Sequence, residues 1–106
     1  MPAPSLEFHP AVREDALAGY GWYLERSQRV ADGFLAEVER GLRLIAADPE
    51  SWPPHVLGAR RCVLRKYPYS IVYKAGGDSI VIYALVHAKR RPDYWKGRLG
   101  WRAPGE

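Results

Sequence analysis

A chain of 106 residues has room for one domain with a real core, residues 1–106, but not for two. Hydrophobic residues at 47% and charged residues at 26% describe an ordinary globule rather than a disordered chain. No apolar run approaches the ~20 residues of a membrane-spanning helix, and the opening MPAPSLEFHP lacks the basic and apolar regions of a signal peptide, so a cytoplasmic protein is expected.

The net charge of +4 is unevenly divided. Residues 1–50 hold five Arg against nine Asp and Glu, a net of −4; residues 51–106 hold eleven Lys and Arg against three acidic residues, a net of +8. The second half should therefore attract an acidic partner or a polyanion. The single cysteine, Cys62, excludes an internal disulfide and a cysteine-based zinc site, and reads as a small buried hydrophobe on a strand. No metal or cofactor is expected.

In chain order, Ser5–Phe8 reads as a first strand ended by His9-Pro10, and Pro10 suits the first turn of a helix running to about Arg26. Leu17, Tyr20, Tyr23 and Leu24 fall at spacings of three and four and predict its buried face. Gly19 and Gly21 weaken that helix, so packing must hold it. Ser27 caps a second helix, Gln28 to about Ala47, with Val30, Phe34, Val38, Leu42 and Ile45 as its apolar stripe and Asp48-Pro49 as its stop. The short link predicts an antiparallel helical hairpin, and neither helix carries residues that look catalytic. Pro49–Ala59 reads as a loop pinned by Trp52, with His55 exposed in it.

Three β-rich runs follow: Cys62–Tyr67, Tyr69–Tyr73 and Ile80–Val86, the last two joined through Ala75-Gly76-Gly77-Asp78, a glycine turn suited to positive φ. A meander is expected, with Ile80–Val86 most buried. Residues 99–106, with two glycines and a proline, read as a mobile tail whose Trp101 can dock on the body. The order β-α-α-β-β-β predicts an α+β domain: a helical hairpin on one face of a small, largely antiparallel sheet, leaving the opposite face and far edge for function. The core strand delivers His87, Lys89, Arg90, Arg91, Tyr94 and Trp95 to one edge of the sheet, the expected working surface.

These residues resemble the RelE/ParE superfamily of bacterial toxins from type II toxin–antitoxin systems. The resemblance runs through His9-Pro10-Ala11, the two helices, Asp48-Pro49-Glu50, Arg60-Arg61, Tyr67-Pro68-Tyr69, Ile71-Val72-Tyr73, Gly77-Asp78, Val86-His87, Arg90-Arg91-Pro92 and Tyr94-Trp95. It implies a small, acidic antitoxin as partner, whose partly disordered tail folds on contact. For the target it implies one of two mechanisms: ribosome-dependent cleavage of messenger RNA, as in RelE-like members, or inhibition of DNA gyrase, as in ParE-like members.

An RNA-cutting centre needs an acid, a base and cations for the phosphorane charge. His87 and Tyr94 are the candidate catalytic groups on that reading. Arg65, Lys66, Lys89, Arg90 and Arg91 are the candidate contacts to target or antitoxin. Against the nuclease, strands two to four hold no carboxylate apart from Asp78 in the turn, and the ending Arg90-Arg91-Pro92-x-Tyr94-Trp95 resembles the ParE branch. The expectation is a ParE-like gyrase inhibitor; the alternatives are a RelE-like endoribonuclease and a non-toxic nucleic-acid-binding or interaction module.

Overall fold

Strand β4 (Ser79–His87) organises the molecule, because it is apolar without interruption and is covered on both faces from Ile80 to Val86. The computed structural model describes residues 4–104. Before β4 come β1 (Ser5–Phe8), α1 (Val12–Leu24), α2 (Gln28–Ala47), a 3-10 turn (Val56–Gly58), β2 (Arg60–Val63) and β3 (Tyr69–Gly76); a one-turn helix, α3 (Asp93–Lys96), follows. The sheet order is β1-β4-β3-β2. The meander β2-β3-β4 is antiparallel, and β1 lies parallel to β4 with Ser5 opposite Ser79 and Phe8 opposite Ile82. The β3–β4 turn uses Gly77 at φ 58°, as the glycine turn predicts.

Helices α1 and α2 pack on one face of the sheet around Phe34, Ile45, Ile71, Tyr73, Ile82 and Leu85. Helix α2 follows its sequence pattern: the Ser27 hydroxyl accepts from the Val30 N–H at 3.2 Å, and Phe34 and Ile45 are fully buried. Val30, expected in the stripe, is exposed, because it sits in the first turn beyond the edge of the core.

Helix α1 corrects the sequence reading more sharply. Leu17 and Leu24 are 56% and 41% exposed; Tyr20 and Tyr23 face inward as expected, joined by Val12, Asp15, Ala16 and Gly19. Small residues bring this helix close to its neighbours. A Cβ on Gly19 would lie 2.8 Å from Phe34 Cζ, whereas one on Gly21 would meet nothing within 4 Å. Gly19→Ala should therefore destabilise the fold by about 1–3 kcal/mol through overpacking. Gly21→Ala should stabilise it by about 0.5–1 kcal/mol through helix propensity. Urea unfolding of the two variants checks this: equal shifts of the same sign would contradict the packing described.

Two further expectations change. Strand β2 ends at Val63, not Tyr67, because the chain turns at Lys66, whose φ is +66°. The second face of the sheet is not open. Ala59, Val72, Val81, Ala84 and Val86 are covered there by Trp95, Leu99 and Trp101 from the C-terminal segment. In the C-terminal segment Leu99 is 8% exposed and the Trp101 carbonyl accepts from the Tyr83 hydroxyl at 3.0 Å. Residues 105 and 106 of that tail lie outside the described residues. Cys62 is buried on β2, and burial pushes its thiol up to about 11, so it packs as a hydrophobe.

Candidate functional site

The top of the sheet collects the predicted residues from two turns. The β2–β3 turn presents Arg65 and Lys66, and the segment after β4 presents Lys89, Arg90 and Arg91; all five are exposed. Tyr69 pairs with His87, and the Ala88 N–H donates to the Pro68 carbonyl at 2.7 Å, which puts both turns at the same end. Glu37 of α2 fixes the first turn: its carboxylate takes two 2.8 Å hydrogen bonds from Arg40 and accepts the Arg65 N–H. Hydrogen bonding to Arg40 first, then to that N–H, holds the Glu37 carboxyl at about 2, against an ordinary 4.5.

A carboxyl depressed in the folded state adds stability that is fully present above its unfolded value and is lost as pH falls through the folded one. Stability should therefore decline through Glu37 between about pH 4.5 and 2. Glu37→Gln should flatten the curve in that window, as measured by urea unfolding at each pH. An unchanged slope would refute the clamp.

His87 ends β4 half-buried; its Nδ1 accepts from the Lys89 N–H at 3.1 Å and its ring meets Tyr69 edge-on at 5.1 Å. No carboxylate contacts it among the described residues. Tyr94 lies on α3 with Arg90 and Arg98 over its ring at 4.5 and 4.9 Å. Its hydroxyl donates to Asp15 Oδ1 at 2.7 Å, and this bond, followed by burial, raises its pKa. The two candidate catalytic groups are thus each committed to different partners. Both border a shallow pocket with Asp15, Gly19, Trp22, Tyr69 and Arg90.

Asp15 is the residue that sequence reasoning missed. It is 5% exposed on α1, and besides the Tyr94 hydroxyl it accepts Arg98 Nη1 at 2.7 Å and the Leu85 N–H at 3.1 Å. The reason lies in the sheet. Strand β1 stops at Phe8, opposite Ile82, so β4 has no strand on that side beyond this point. A bulge follows, in which Tyr83 is the extra residue between the pairs Val72–Ala84 and Tyr73–Ile82. Backbone groups left unpaired there would be costly. Asp15 takes the Leu85 N–H, and Arg98 Nη1 donates to the Tyr83 carbonyl at 3.1 Å. A buried ion pair thus stands where a longer β1 would have paired. It also ties α1, β4 and the C-terminal segment together.

A further recess is apolar. It has a volume of about 340 Å³ and opens between β1, α1 and α2, lined by Phe8, Val12, Ala16, Val38, Leu42 and Ile82 among others. Among the described residues no group of His, Cys, Asp or Glu is arranged to hold a metal ion, and no helix is long and apolar enough to cross a membrane.

A helical hairpin thus packs on a four-stranded sheet, with a cationic end and an apolar groove. The family model of the ParE toxin of type II toxin–antitoxin system, parDE, matches residues 6–92, and the chain belongs to that family. It is the toxin component of a toxin–antitoxin pair, with an antitoxin as its partner. Among solved structures, the chromosomal ParDE TA system from P. aeruginosa is similar in fold, with a TM-score of 0.71 at 19% identity over 80% of this chain and 96% of that one. No curated protein matches the chain. The family match stops at Pro92, so Tyr94, Trp95 and Arg98 lie beyond it while Asp15 lies within.

Proposed function

We propose that the protein arrests growth by binding and inhibiting DNA gyrase in the cytoplasm, and that a small acidic antitoxin neutralises it. Arg65, Lys66, Lys89, Arg90 and Arg91 form the contact surface for target or antitoxin. The observation that carries this reading is the engagement of Tyr94. Its hydroxyl is spent on Asp15, and Asp15 is held by Arg98 and by the Leu85 N–H. A general acid or base must be free to reach the proton it moves, and among the described residues His87 has no carboxylate partner to complete a set. What remains at the cationic end is binding chemistry, which suits inhibition of a protein target. Membership of the ParE family points the same way.

For the antitoxin, the apolar groove beside the hairpin suits an amphipathic helix that folds on contact, and the +8 second half suits acidic side chains elsewhere on the same partner. Association should slow as salt rises, while much of the affinity, supplied by apolar burial, survives. The test of the main reading is a supercoiling assay. Purified protein should inhibit gyrase, and addition of the antitoxin should restore activity; gyrase unaffected at saturating protein would refute it.

A further inference from the structure

We propose that Trp22 and the small pocket beside it on α1 are the anchor site for gyrase, receiving one large apolar or aromatic side chain from an acidic segment of that protein. The inference rests on the gyrase reading and adds to it the place where the target is gripped.

Trp22 is 52% exposed, an unusual position for a side chain that folded proteins mostly bury. Neither core cluster includes it. It is nevertheless held in place. The Arg26 guanidinium lies 3.5 Å over its ring, Arg26 Nη1 donates to the Trp22 carbonyl, and the Tyr23 ring meets it edge to face with centres 5.0 Å apart. An aromatic ring presented so rigidly loses little freedom when a partner covers it.

The pocket has a volume of about 130 Å³. Ala18 and Gly19 line it from α1, Tyr69 from β3, and Arg90 and Tyr94 from the segment after β4. Tryptophan, tyrosine and arginine around a recess are the side chains that carry most of the energy in protein interfaces. The charge of the rim selects the partner. Asp15, at its edge, is already neutralised by Arg98, whereas Arg90 forms no ion pair among the described residues. Arg26 has only an exposed contact with Glu25 at 3.9 Å. Arg90 is also part of the cationic end, so the positive rim runs on into Lys89 and Arg91. An acidic segment complements that rim and a basic one does not.

Helix α1 separates this pocket from the antitoxin groove. Val12 and Ala16 border the apolar groove on one flank, while Ala18, Gly19 and Trp22 border the pocket on the other. A helix seated in the groove leaves Trp22 uncovered, which assigns the pocket to the target.

The test uses the full chain in supercoiling titrations, with antitoxin binding, sedimentation and urea unfolding measured on the same preparations. Trp22→Ala should raise the half-inhibiting concentration about thirtyfold, as loss of an interface anchor does. Its antitoxin affinity should stay within about twofold, and its unfolding midpoint should hardly move. Ala18→Leu, which fills the pocket and keeps Trp22, should weaken inhibition as well, a result that lost packing of Trp22 would not produce. Leu57→Ala, an exposed apolar residue outside the pocket, should inhibit like the wild type. Wild-type protein that leaves gyrase unaffected would refute the parent reading and this one with it. If the wild type does inhibit, Trp22→Ala behaving like Leu57→Ala would overturn the anchor alone. So would an equal loss of antitoxin affinity in Trp22→Ala, or a wild-type dimer that this variant abolishes, since the antitoxin or a second copy would then be the occupant.

Discussion

Asp15→Ala is expected to cost about 3–5 kcal/mol, the range for removing one partner of a buried ion pair. The Asp15 side chain is 1% exposed and that of Arg98 13%, so the pair is shielded from the screening that makes surface bridges weak. Removing the carboxylate strands three donors at once: the Arg98 guanidinium, the Leu85 N–H and the Tyr94 hydroxyl. Arg98→Ala should be comparably severe, because it leaves a buried carboxylate facing only two neutral donors. The double variant should lose less than the two singles combined, since the second change removes the charge that the first left unpaired. Urea unfolding of the four proteins measures this. A single-variant loss under 1 kcal/mol, or simple additivity, would show that the pair does not substitute for the missing strand.

Leu85→Ala is expected to cost about 2–5 kcal/mol, whereas Arg91→Ala should stay within about 0.5 kcal/mol of the wild type. Leu85 is 4% exposed beneath the hairpin, and truncation there leaves a void that the central strand cannot close. Arg91, six residues on, is exposed and forms no ion pair among the described residues. Its loss should instead show in function, as weaker growth arrest or weaker antitoxin binding. Chemical unfolding and a growth assay of both variants separate the two effects. An Arg91→Ala protein that unfolds as readily as Leu85→Ala would make the cationic end structural.

What the sequence disclosed depended on where its signals lie. Helix α2 was legible because Phe34, Val38, Leu42 and Ile45 recur at helical spacing and Ser27 announces the start. Helix α1 was half misread: Tyr20 and Tyr23 face inward as their spacing predicts, but Leu17 and Leu24 face outward. The rest of its inward face, beside Val12, is a glycine, an alanine and a carboxylate, which no hydrophobic periodicity reveals. The cationic end could be found because Lys89, Arg90 and Arg91 are adjacent in sequence and Arg65 and Lys66 precede the neighbouring strand. Asp15 could not. In the first turn of a helix it looks like a charge placed to suit the helix dipole, and Arg98 lies 83 residues away. The early end of β1 gives the pair its purpose, and that end becomes visible only once β1 is seated against β4. The covered second face was hidden for the same reason, since Trp95, Leu99 and Trp101 look like loose ends until the sheet exists.

The most direct test compares wild type and Tyr94→Phe in two assays run side by side: gyrase supercoiling and cleavage of messenger RNA on translating ribosomes. Without proton transfer, the phenolic oxygen matters only through its bond to Asp15, worth about 1 kcal/mol. Both proteins should therefore inhibit supercoiling to a similar degree and leave messenger RNA intact. A nuclease that loses a group moving a proton falls by ~10²–10⁴ in rate. Ribosome-dependent cleavage by the wild type, lost in Tyr94→Phe while supercoiling is untouched by either, would contradict the account.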